Sequence, residues 1–244
     1  MKKGIEYADD SWNPYHGCEM IGCAVGTDCW AYKRALMLGG NPKVKGYPKE
    51  NPFKPIFEKD KLDKPLKRRK PTRFDTCFMG DIGYATQWDM NQILDVVKRC
   101  PQHIFYFLTK QPQRVEALEL TFPENAWVGV TVNEQDDVWR IGNLKMIRAV
   151  NRWISFEPLY SKILVSLSEI DWIVIGALTN PEKQPEADWV IELMRCADYH
   201  GIPVFVKPNL TVVEPRMELP EAIRKTEAPP SSSSDSGSQI AEAE

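Results

Sequence analysis

IFYFLTKQPQRVEALELTFPENAWVGVTVN, residues 104–133, decides the architecture. Its two ends, IFYFLTK and AWVGVTVN, are short, β-branched or aromatic, and almost continuously apolar. Strands of that kind are buried on both faces, as in parallel sheets covered by helices. QPQRVEALEL lies between them as the connection a βα unit requires.

The same unit recurs in both directions. Upstream, RFDTCFMGD reads as a strand and MNQILDVVKRC as its helix. Downstream, VWRIGNLKMIRAV follows AWVGVTVN. RWISFEPL is the next strand, with a short helical candidate in SKILVSLSEI. DWIVIGAL pairs with the helix DWVIELMRCADYHG, and PVFVKPNL closes the series. A short first strand in IEYADDSW brings the total to about seven. The pattern predicts an α/β fold, a partial or full parallel (β/α) barrel of about six to seven strands over residues 1–225. A doubly wound open sheet has the same periodicity.

Two segments break the rhythm. CWAYKRALMLGG has helical composition and a terminal glycine pair, a stop signal. Residues 41–73 then form a basic, Pro-rich insertion whose five prolines after Pro42 forbid a regular helix. Residues 226–244 are acidic and Ser-rich, too poor in apolar surface to fold, and are expected to be a disordered tail.

The chain has 244 residues and a net charge of −3, so no global basicity suggests a nucleic-acid coat. MKKGIEYADD contains no apolar h-region, and no apolar run is long enough to cross a bilayer. The expectation is a soluble, cytoplasmic protein without membrane contact. In that reducing setting clustered cysteines hold metal more often than disulfides.

Three of the six cysteines, Cys18, Cys23 and Cys29, fall in GCEMIGCAVGTDCW. With His16 they could form a Cys3His zinc site. The alternative is an iron–sulfur cluster, which prefers thiolates. A four-iron cluster held by three thiolates keeps one iron open, and Gly22 and Gly26 give the loop freedom to wrap it. Cys77, Cys100 and Cys196 read as small buried hydrophobes. His103 and His200 stand at helix–strand junctions without evident partners.

Ligands of parallel α/β folds bind beyond the carboxyl ends of the strands. Those ends here are polar: Met79-Gly80-Asp81, Thr109-Lys110, Thr131 to Glu134 around Asn133, Ser155 and Glu157, Gly176-Ala177, and Lys207 to Asn209.

WNPYHGC, CWAYKRA, FMGD, PQHIFYFLTKQPQR, WVGVTVN, SFEPL, DWIVIGA and IPVFVKPNL, in that order, resemble a phage-associated family of radical-SAM-like proteins with a three-cysteine motif. The resemblance covers roughly residues 9 to 210. It implies a barrel of the radical SAM type, a 4Fe-4S cluster on Cys18, Cys23 and Cys29, and S-adenosylmethionine (SAM) as cofactor. It places Gly80 and Asp81 at the SAM ammonium, with Thr109, Asn133 and Glu157 as further cofactor-binding candidates. A reaction through a 5′-deoxyadenosyl radical, fed by an electron donor such as ferredoxin or flavodoxin, follows from the same resemblance. Both gaps between the cysteines are longer here than is common in that superfamily, and the aromatic residue follows the last cysteine as Trp30. The rival readings are a structural-zinc protein and a non-catalytic phage or mobile-element adaptor on the same fold.

Lys43–Arg73 carries twelve Lys/Arg against four Asp/Glu, a net of +8, against −11 for the remainder. KRRK at 67–70 is its densest point, and a basic patch beside the rim suits a nucleic acid or nucleotide. A solvated covering loop is the plainer alternative.

Overall fold

The structure is a computed structural model and describes residues 5–19, 23 and 25–224. Gly22 and the 226–244 tail lie outside them.

Seven parallel strands form one sheet: β1 (Asp10–Trp12), β2 (Arg73–Thr76), β3 (Ile104–Thr109), β4 (Ala126–Thr131), β5 (Asn151–Phe156), β6 (Trp172–Ile175) and β7 (Val204–Val206). Each pairs with its neighbour in sequence, from β1 at one edge to β7 at the other. The sheet curls into a half-barrel flanked by helices. It is the partial form of the expected barrel, and the two edge strands do not pair with each other.

The register explains why the strand sequences are apolar throughout. Ser11, Asp75, Tyr106 and Trp127 lie side by side across β1 to β4. On that concave face Tyr106, Trp127, Trp153, Trp172, Val174 and Phe205 pack with Tyr7 and Ala8, which precede β1. The alternate residues, among them Phe105, Phe107, Val128, Ile154, Ile173 and Val204, face the helices. Both faces are therefore dry, and Phe105, Tyr106 and Phe107 are core.

The helices are α1 (Trp30–Leu38), α2 (Gln87–Lys98), α3 (Pro112–Glu116), α4 (Trp139–Met146) and α5 (Ala187–His200). α2 begins with a reciprocal cap in which Thr86 Oγ1 accepts from Asp89 N at 3.1 Å and Asp89 accepts from Thr86 N at 3.0 Å. No helix among the described residues is long and apolar enough to cross a membrane.

Three expectations change. The helix expected in SKILVSLSEI is absent: residues 161–170 form no helix. Gln135 explains this, because its side chain takes both backbone groups of Leu164, accepting from the N–H at 2.7 Å and donating to the carbonyl at 3.3 Å. Ile163, Leu167 and Ile170 still bury against the core from an irregular backbone. The RFDTCFMGD strand stops at Thr76, since Cys77 turns left-handed at φ 63°. His103 does have partners, the carbonyls of Pro65 and Arg68 at 3.2 and 3.0 Å.

Candidate functional site

β1 delivers the cysteine stretch to the carboxyl end of the sheet. Past Trp12, Tyr15–His16 pairs briefly with Ile56–Phe57. Gly17 then docks on Gly80: its N–H donates to Met79 O at 3.0 Å, and Asp81 N–H donates back to Gly17 O at 3.1 Å. Gly17 has φ +91°, and a side chain there would collide with the backbone of Phe53 and Lys54. The adjacent Cys18 N–H donates to Phe53 O at 2.9 Å. The loop is thus pinned on one side by the insertion and on the other by Met79-Gly80-Asp81.

All three cysteines are half-buried, and none forms a disulfide among the described residues. Cys18 and Cys29 pack with Met79 against one small cluster, Ala31, Ala35, Tyr47 and Phe53. The Tyr160 phenol, beyond β5, is pushed up by burial and then by the nearby Asp28 and Cys23. Lys33 ties Asp28 (3.0 Å) to the Asn180 carbonyl beyond β6 (3.5 Å). The cysteine loop therefore reaches from the β2 end across the mouth of the half-barrel to the loops after β5 and β6. Among the described residues no three His, Cys, Asp or Glu side chains lie close enough together to hold a metal ion. The donor set itself, three cysteines on one loop and in no disulfide among the described residues, is of the type that ligates iron–sulfur clusters.

His16 is engaged elsewhere. Its ring is buried, stacks on Tyr47 at 4.5 Å between centroids, and faces Glu58 at 3.4 Å. Burial pushes its imidazole below the ordinary value, against the pull of Glu58.

Asp81 and Thr109 come together, as parts of the scaffold. The buried Asp81 carboxylate accepts from Thr109 Oγ1 at 2.5 Å, from Lys110 N at 2.8 Å and from Gly83 N at 2.8 Å. Three donors of the chain itself thus occupy the group expected to meet an ammonium, and they tie β2 to β3. Asn133 Nδ2 donates to Pro158 O at 2.7 Å, while its buried Oδ1 has no partner among the described residues. Glu157 accepts from Lys207 Nζ at 2.6 Å, and Lys207 also lies 3.4 Å from Glu6.

A family profile described as DUF5131, protein of unknown function, matches residues 2–217. The chain belongs to DUF5131. Comparison with curated proteins and with solved structures finds no match to either.

In this DUF5131 protein the mouth of the half-barrel is closed below by the aromatic floor and edged by Asn133, Glu157, Lys207 and Glu6. Burial opposes the Lys207 charge, but Glu157 and Glu6 hold its pKa above the ordinary lysine value. Strand-end reasoning did not name Glu6, and it named Lys207 as a polar strand end without giving it a role. The signal was present in VFVKP: Val204 and Val206 face the helices, so Phe205 and Lys207 face the mouth.

The basic insertion runs along the whole height of the barrel. Phe53 and Lys54 touch Gly17 at the cysteine end. Pro65 and Arg68 lie against His103, at the opposite, amino end of the strands. KRRK thus sits at the pole away from the rim, which corrects its expected place beside the site. Two surface depressions of about 530 and 560 Å³ flank α2, away from the cysteine loop.

Proposed function

We propose that this chain is an iron–sulfur protein of the radical SAM type, with a 4Fe-4S cluster on Cys18, Cys23 and Cys29 and SAM bound at the mouth of the half-barrel. The observation that carries this reading is the position of the three-thiol loop, directly after β1 and across the carboxyl ends of an open parallel sheet. When bound, such a cluster supplies the electron that cleaves SAM to methionine and a 5′-deoxyadenosyl radical.

The chain's own residues have definable parts in this reading. Three thiolates leave one iron for an outside ligand. The Met79–Asp81 backbone is bonded to Gly17, the residue before Cys18, and Met79 packs on the same small cluster as Cys18 and Cys29. Asp81 keeps that turn rigid through its three bonds rather than touching the cofactor. Asn133 Oδ1 is a buried acceptor beyond β4 without a partner among the described residues, and Glu157 with Lys207 gives the mouth a charged wall. The aromatic floor excludes water from below. The Cys77 and Cys100 thiols suit ligation poorly, since thiolate is the ligating form. Burial pushes Cys77 up to about 12 and Cys100 upward as well. A cytoplasmic setting and a ferredoxin- or flavodoxin-type donor belong to the same proposal.

Anaerobically purified protein should contain iron and acid-labile sulfide. Cys18→Ala, Cys23→Ala and Cys29→Ala should each abolish the brown chromophore, while Cys77→Ala, Cys100→Ala and Cys196→Ala keep it. Saturating SAM should change the electron paramagnetic resonance spectrum of the reduced cluster. Stoichiometric zinc without iron would instead favour the structural-zinc or adaptor reading.

A further inference from the structure

The insertion divides into two halves with different electrostatic fates. In the lower half Lys61, Lys64, Lys67, Arg68 and Arg73 are paired with Glu58, Asp10, Asp63, Asp10 and Asp9. Its positive charge is largely answered by the protein's own carboxylates. In the upper half Lys43, Lys45, Lys49 and Lys54 are all exposed, and none has an ion pair among the described residues. Glu50 is the single acid within residues 43–54.

This unanswered half packs against α1, the helix that leaves the cysteine loop. Tyr47 and Phe53 join Ala31 and Ala35 in one cluster, and Gly40 N–H donates to Tyr47 O at 3.2 Å. α1 buries Ala31 and Ala35 and turns Trp30 and Met37 outward, 57% and 72% exposed. Arg34 is exposed on the same helix. Trp30, one residue after Cys29, thus turns much of its indole to solvent on the helix against which the lysine-bearing segment packs.

We propose that α1 and residues 43–54 form a docking surface for single-stranded nucleic acid, with Lys43, Lys45, Lys49, Lys54 and Arg34 on the phosphates and Trp30 stacked on a base. Lysines without internal partners can release phosphate counterions at no cost in broken ion pairs. An exposed indole accepts any base face, which is the device single-strand binders combine with such a groove. A duplex hides its base faces, so the exposed indole favours a single strand. The surface borders the cysteine loop, so a bound strand lies next to the proposed reaction centre. That the strand is the substrate rests on the cysteine reading; the docking does not.

The test uses the full-length protein and short fluorescent RNA and DNA oligonucleotides, single-stranded and duplex, followed by anisotropy over a range of salt. Binding to a single strand should be tighter than to the duplex and should weaken steeply with salt. The variant Lys43→Glu/Lys45→Glu/Lys49→Glu/Lys54→Glu should lower the slope of log K against log salt by about 3, at about 0.7 per phosphate on a single strand. Trp30→Ala should weaken binding roughly ten-fold with the slope nearly unchanged. Arg69→Glu/Lys70→Glu, exposed and at the opposite pole, should leave binding as it was. The RNA and DNA arms identify which nucleic acid is preferred. Melting curves confirm that each variant is folded, and iron content on the same preparations keeps a failure of the cluster reading separate from a failure of docking. Binding indifferent to the upper lysines, lost equally with Arg69 and Lys70, unaffected by Trp30→Ala, or as tight on duplex overturns the proposal.

Discussion

Asp75 shows how a single residue can set the pH response of the fold. It lies on the concave face of β2 beside Ser11, and burial pushes its carboxyl from 3.8 up to about 7. Between those values the unfolded chain has lost the proton that the folded chain still holds. The contribution of Asp75 to stability therefore falls as pH rises from about 4 to about 7 and is flat above, by roughly 4 kcal/mol at most. Asp75→Asn removes the charge that burial penalises. We expect it to raise the melting temperature at pH 8 and to leave it nearly unchanged at pH 4. Thermal scans of both proteins across pH check this, and equal shifts at the two ends would show that Asp75 is not the titrating group. From the sequence, RFDT announced a strand but not which face its aspartate would take. That became visible only once Ser11, Asp75 and Tyr106 were in register.

At the scale of elements, the strands were legible and some connections were not. A strand buried on both faces writes its environment into every position, so IFYFLT, AWVGVT and WIVI could be placed without their neighbours. A connection is fixed by distant side chains instead: Gln135 takes the backbone groups that a helix at 161–170 would have used. The cysteine loop is another such case, because it depends on the close approach of Gly17 to Gly80 and to the insertion. Gly17→Ala adds a methyl group into the Lys54 backbone at a positive φ. A loss of about 2 kcal/mol or more follows from the conformation and the overlap together. Gly142→Ala, in α4 with nothing within 4 Å of the added atom, should instead stabilise by about 0.5–1 kcal/mol. Chemical denaturation of the pair separates the two cases, and a neutral Gly17→Ala would mean that the loop is not pinned there.

For the whole molecule the open sheet raises the question of what fills a half-barrel. A closed barrel packs its interior from its own strands. Here the segment before β1 supplies the plug: Tyr7 is buried and meets Tyr106, Trp153, Trp172 and Phe205 edge-on, with centroids 5.2 to 5.8 Å apart. Its neighbour Glu6 reaches Lys207, so the same short segment supports both the floor and the charged wall of the mouth. The alternation of βα units gave no warning of this, since IEYADDSW reads locally as a strand and only Asp10–Trp12 enters the sheet. The same global view moved KRRK to the far pole, because position along an irregular insertion cannot be deduced from its composition. Removing the Tyr7 ring leaves a hole between four aromatic side chains that are themselves fixed by the strands. Tyr7→Ala should therefore cost roughly 3–5 kcal/mol, in the range of large aromatic deletions in cores. Tyr7→Phe keeps the ring and removes a phenol whose ionisation is suppressed by burial and then by Glu157, so it should stay within about 1 kcal/mol of the parent. Urea unfolding of the three proteins gives the comparison. If Tyr7→Phe lost as much as Tyr7→Ala, the hydroxyl and not the ring would be what seals the open side of the sheet.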